Sequence, residues 1–268
     1  MQQYIQTDRQ LHWLSQVIAR INRTFVHAEE DDSHTSLFFD AMGSRLFGRW
    51  IDTPEGKKIL SCLLPVRRFE WLDDRHNALS SFEFGGKDND TLIAEAARYL
   101  NSAGVDIEGV FKPIHYEIPE YGFDHLEMDD PGTGGLEKWI YFRELANQAC
   151  FGLTGYLQSE SEVRIWPHHF DTGIYLAAGE ELGLGFGLAM EDRMVGEPYF
   201  YLAGYSTGSA ISYRRLPDLK EGHWETGSAW QGAVLPLSKL VGDSPGEAMT
   251  TIRKFILLAT TWYLNYGR

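Results

Sequence analysis

Apolar residues recur at the helical step in four places along the chain. Leu11, Leu14, Ile18, Ile21 and Phe25 follow one another at intervals of three or four, the spacing that lines one face of a helix. Thr7 and Gln10 have the form of a capping box, so a helix is expected over Asp8 to Phe25. A second is expected from Asp90, as cap, to Ala103, with Gly104 as its terminator. The third covers Leu136 to Leu157, where Leu136, Trp139, Ile140, Ala146, Cys150, Leu153 and Leu157 share a face. The fourth opens at "SPGE". There Ser244 caps, Pro245 suits the first turn and Glu247 closes the box, and Met249, Ile252, Ile256, Ala259 and Tyr263 form the apolar stripe.

The intervening segments read as strands. "TSLFFDAM", "SRLFGRWI", "KKILSCLLP" and "LSSFEFGG" lie between the first two helices. "EVRIWP", "FDTGIYLAAG", "LGLGFGLAM", "PYFYLAGY" and "GAVLPLSKL" lie between the last two. Strands grouped between helices, not alternating singly with them, predict an α+β fold with mainly antiparallel sheets. Each sheet would be flanked by helices on one face. The order of helix, strands and helix occurs twice, which predicts two similar halves. "LFFDAMGSRLFG" can be laid over "IYLAAGEELGLG", pairing Ala41 with Ala178, Gly43 with Gly179 and Leu46 with Leu182, as an internal duplication would. The expected organisation is an N-terminal half over residues 1–118, an acidic connection with Pro and Gly over 119–135, and a C-terminal half over 136–268.

Face analysis singles out "RIWPHHFDTGIYLAAG". Strand alternation puts Trp166, His168, Phe170, Thr172, Ile174 and Leu176 on one, mostly apolar face. His169, Asp171 and Tyr175 fall on the other. The two histidines should then diverge, with His168 a core residue bonded to backbone. In "GEPYFYLAGY" the same rule aligns Tyr199, Tyr201 and Tyr205, rings with hydroxyl tips suited to gripping a ligand. The candidate ligand-binding residues are His169, Asp171, Tyr175, Glu197, Tyr199 and Tyr201. His169 with Asp171 suits an acid–base pair or part of a zinc or manganese site. No HExxH or paired CxxC pattern supplies further ligands, so no metal or cofactor is assigned.

Two look-alikes carry less. "GYSTG", Gly204 to Gly208, fits the nucleophile elbow, but the segment after it is a poor helix former. "GLGFG", Gly183 to Gly187, lacks the following helix that phosphate binding needs. Its glycines suit close approach of a neighbouring strand or ligand.

The formal charge is −14, which repels phosphate backbones and argues against a nucleic-acid partner. No apolar run reaches the length of a membrane span. Cys62 and Cys150 sit in apolar runs and read as buried free thiols. With no signal-like N-terminus, a cytoplasmic setting is expected.

In order and local pattern the chain resembles a bacterial family of uncharacterised proteins, a domain of unknown function of similar length. The resemblance is carried by "SLFFDAMGSRLFG", "AGVDIEGVFKPIHYEIP", "HHFDTGIYLAAG", "VGEPYFYLAGY" and "GAVLPLSKL". The double histidine and the longer segment from Gly208 to Trp230 depart from it. The resemblance implies fold boundaries and draws notice to Phe170-Asp171 and Glu197-Pro198, and it implies no activity. The expected function is binding of a small molecule or peptide in a groove near the His169/Asp171 strand and the tyrosine-rich strand. The alternatives are a hydrolase using His169 and Asp171, with or without a divalent metal, and an assembly protein, as in a homo-oligomer.

Overall fold

In a computed structural model, residues 1–122, 124–125, 135–227 and 230–266 are described. Most of the acidic connection therefore lies outside the described residues. The chain is α+β, with four α-helices and two antiparallel sheets of six strands each among the described residues. It divides into two compact units, Gln2–Ile140 with Arg164–Phe170, and Tyr141–Val163 with Asp171–Arg268.

The N-terminal unit opens with helix α1, Gln2–Phe25, which begins earlier than the apolar stripe alone suggests. Leu11, Leu14, Ile18 and Ile21 are buried as the periodicity requires. The sheet strands are β1 (Phe38–Asp40), β2 (Arg45–Phe47), β3 (Ile51–Thr53), β4 (Gly56–Leu63), β5 (Arg68–Asp73) and β6 (Ala78–Glu83). They form a meander in the order β1-β2-β4-β5-β6, with β3 beside β4. Helix α2, Asn89–Ser102, packs beside α1 and takes the buried Trp71 indole N–H of β5 on the Ala96 carbonyl at 3.0 Å. Its cap is Asp88, which accepts from the Thr91 amide, not Asp90. Gly104, at φ +77°, follows the helix as expected.

Helix α3, Gly135–Leu157, belongs to the first unit up to Ile140 and to the second from Tyr141. In the N-terminal unit its Trp139 indole donates to Asp8 Oδ1 at 2.7 Å. Strand β7, Arg164–Trp166, bridges Leu37 through Ile165 in that same unit.

The C-terminal unit holds β8 (Asp171–Ala177), β9 (Leu182–Ala189), β10 (Tyr199–Ser206), β11 (His223–Glu225) and β12 (Gly232–Pro236), ordered β11-β12-β10-β9-β8. Ile174, Leu184, Phe186, Leu188, Phe200, Leu202 and Leu235 form its core. Helix α4, Pro245–Leu264, packs on β10 and β12, and starts at the expected capping box of Ser244 and Glu247. From α3, the fully buried Arg143 donates to the Thr172 hydroxyl at 2.8 Å. No described helix is long and apolar enough to cross a membrane.

Candidate binding face of the C-terminal sheet

The two faces of β9 differ in kind. Leu184, Phe186 and Leu188 point into the core. Gly183, Gly185 and Gly187 alternate with them and leave the other face without side chains. The register sets these glycines opposite β8 and β10. Gly187 lies between Gly173 and Tyr201, Gly185 between Tyr175 and Ala203, and Gly183 between Ala177 and Tyr205. Tyrosine rings from both neighbours fill the vacant space. A Cβ at Gly183 would overlap the Tyr175 ring, one at Gly185 would come within 3.0 Å of the Tyr205 ring, and one at Gly187 within 2.8 Å of the Tyr201 hydroxyl. The glycines permit the close approach expected of them, and ring atoms provide it.

Tyr201 lies across this floor and donates its hydroxyl to Asp171 Oδ2 at 2.6 Å. Burial, and then the neighbouring carboxylate, push the phenol well above its ordinary pKa. Tyr175 and Tyr205 pack against each other with tilted rings, their centroids 5.9 Å apart. They remain 55% and 46% exposed, so the ring surface faces outward. Trp230 adds a ring over Gly232 of β12 and meets Tyr201 at 6.3 Å in a T-shaped contact.

The expected site residues therefore separate. Asp171, Tyr175 and Tyr201 share this face. Tyr199 starts on the same side of β10 but is buried, and its hydroxyl donates to Asp192 Oδ2 at 2.7 Å. Glu197 accepts from the Ser238 amide and hydroxyl, both at 2.8 Å, and so holds the 3₁₀ turn Leu237–Leu240. His169 is exposed in the N-terminal unit.

The segment before β8 departs from continuous alternation. Strand β7 ends at Trp166, a turn follows, and Phe170 has φ +53°. The phase is reset there. Phe170, Thr172, Ile174 and Leu176 are buried as expected, but Trp166 and His168 are only half-buried, and Ile165 and Pro167 point inward instead. The adjacent histidines do not diverge, since their rings lie 4.4 Å apart between centroids. His168 is half-buried, and His12 of α1 is a buried histidine that bonds to backbone. The His12 Nε2–H donates to the Pro167 carbonyl at 2.9 Å, which leaves Nδ1 to accept the Tyr121 hydroxyl at 2.6 Å. Phe170 stacks on the His12 ring at 5.3 Å.

Trp230 and the filling of the glycine stripe by tyrosine rings were the parts of the face not assigned from sequence. The alternating glycines of "GLGFG", set beside "FYLAGY", were the available signal. Among the described residues, no group of three or more His, Cys, Asp or Glu is placed to hold a metal. Among the described residues no α-helix follows Ser206 until α4, so "GYSTG" does not form a strand–turn–helix elbow. Comparison with protein-family models, curated proteins and solved structures finds no match to this chain.

Proposed function

We propose that the chain is a binding protein that takes a small molecule on the outer face of its C-terminal sheet, against Tyr175 and Tyr205. The glycine stripe of β9 is the observation that carries this reading. Glycine in a strand interior weakens the strand, and here three of them make room for the Tyr201 ring and for the Tyr175 and Tyr205 rings, which stay about half exposed. Rings with hydroxyl tips supply contact area at little conformational cost. The Tyr201 hydroxyl engages the Asp171 oxygen that a hydrolytic pair would use, which favours binding over hydrolysis.

A thermal-shift screen of metabolites on the parent and on the Tyr175→Ala/Tyr205→Ala double variant tests the proposal. A ligand at 100 times its Kd stabilises by about 2.7 kcal/mol, a readily measured rise in Tm. The expected result is at least one compound that stabilises the parent and not the variant. A screen in which every stabilising compound acts equally on both would sink the reading.

A further inference from the structure

We infer that the ligand of this face carries an organic ammonium group. The inference rests on the binding reading above and adds the chemical class. The rings do not form one flat platform. Tyr175 and Tyr205 are inclined at 51° and half exposed, and Trp230 meets Tyr201 edge to face at 86°. The exposed ring surface is electron-rich, the kind of surface that attracts a cation.

The charges on the same face agree. Strand alternation and register place Asp171 and Glu225 on it, in β8 and β11. Neither lysine nor arginine stands at any position of this face in β8 to β12. Its remaining titratable partner is His223, 3.3 Å from Glu225. An anionic ligand would meet the Asp171 and Glu225 carboxylates and no lysine or arginine of these strands, whereas an ammonium ligand would meet complementary charge. Asp171 accepts one tyrosine hydroxyl at Oδ2. Among the described residues its Oδ1 has no protein partner, so it can face a ligand.

Choline and 3,3-dimethylbutan-1-ol have nearly the same shape and differ in charge. Each is titrated into the full chain while the Tyr and Trp side-chain NMR signals are followed. Choline should bind about tenfold more tightly than the neutral alcohol and should shift Tyr175, Tyr205 and Trp230. Asp171→Asn keeps an acceptor for the Tyr201 hydroxyl and removes the charge. It should narrow the preference, and Tyr175→Ala should weaken choline severalfold. Equal binding of the two probes would overturn the ammonium inference and leave the binding face standing. So would silence to both probes while a screened compound still depends on Tyr175 and Tyr205. Silence to both, with no ring-dependent compound in the screen, would remove the two readings together.

Discussion

Alanine placed at two glycines of β9 should give two different results. At Gly187 the new methyl would overlap the Thr172 carbonyl oxygen and approach the Gly173 Cα to 2.8 Å. Those are backbone atoms of β8 and cannot yield without distorting the sheet. Gly187→Ala should destabilise by about 2 kcal/mol, in the range of overpacked sites, read as a lower urea midpoint. At Gly183 the obstacle is the outer end of the Tyr175 ring, which is exposed and can swing away. Gly183→Ala should cost less than about 1 kcal/mol yet weaken any ligand that depends on Tyr175. Equal costs at the two sites would show that the rings are not what fills the stripe. Residue roles were only partly legible. The inward phase of Phe170 to Leu176 follows from alternation. The burial that alternation predicts for Trp166 and His168 is not met, because the positive φ of Phe170 inserts a turn where a continuous strand was expected. His12 was unreadable for another reason, since its partners Pro167 and Tyr121 are remote in sequence.

The long helices were readable because period and caps agree, and α4 shows both. Removing the Ser244 hydroxyl in Ser244→Ala should cost about 1 kcal/mol, seen as a fall in Tm. Strand β5 was missed although it is central to its sheet. It carries Arg68, Glu70 and Asp73 among its apolar residues, and a charged central strand reads poorly by composition. The structure shows how the charge is accommodated. Glu70 is met by Arg68 at 3.1 Å and by Arg45 of β2 at 3.4 Å. Strands β3 and β11 are three residues each, too short for alternation to declare itself. The caps also set an acid dependence. Hydrogen bonds from the Thr91 side chain and backbone hold Asp88 below the usual carboxylate range, and Ser244 does the same for Glu247. A depressed folded pKa contributes stability that is present above the unfolded value and lost as pH falls through the folded one. The parent should therefore be more stable than Asp88→Asn near neutral pH, and the gap should close on acidification below about pH 4. A gap in urea midpoint that is constant with pH would contradict this.

On the scale of the molecule, antiparallel sheets and their grouping between helices were legible. The strand order and the division into units required long-range pairing that no local pattern states. Gly43 and Gly179, matched by the sequence overlay, both fall in links between adjacent antiparallel strands, β1–β2 and β8–β9. Alkaline behaviour is also collective. Burial raises the phenols of Tyr116, Tyr121, Tyr199, Tyr201 and Tyr263. A raised folded pKa gives stability that is whole below the ordinary phenol value and is lost as pH rises through the folded one. Absorbance at the phenolate band should then rise in two stages, exposed rings near pH 10 and buried rings only with loss of the far-ultraviolet CD signal. A single early rise before any unfolding would refute it.

The only two cysteines of the chain are divided between the units. Cys62 lies in β4 of the N-terminal unit and Cys150 in α3 of the C-terminal one, both free and fully buried, with thiols that burial pushes up in pKa. Neither can meet a thiol reagent until its own surroundings open. The protein thus contains one internal clock for each unit. Mass spectrometry after timed alkylation would count them separately. Labelling rates that respond identically to urea would mean that the units open as one. Rates that diverge would give each unit an opening free energy of its own.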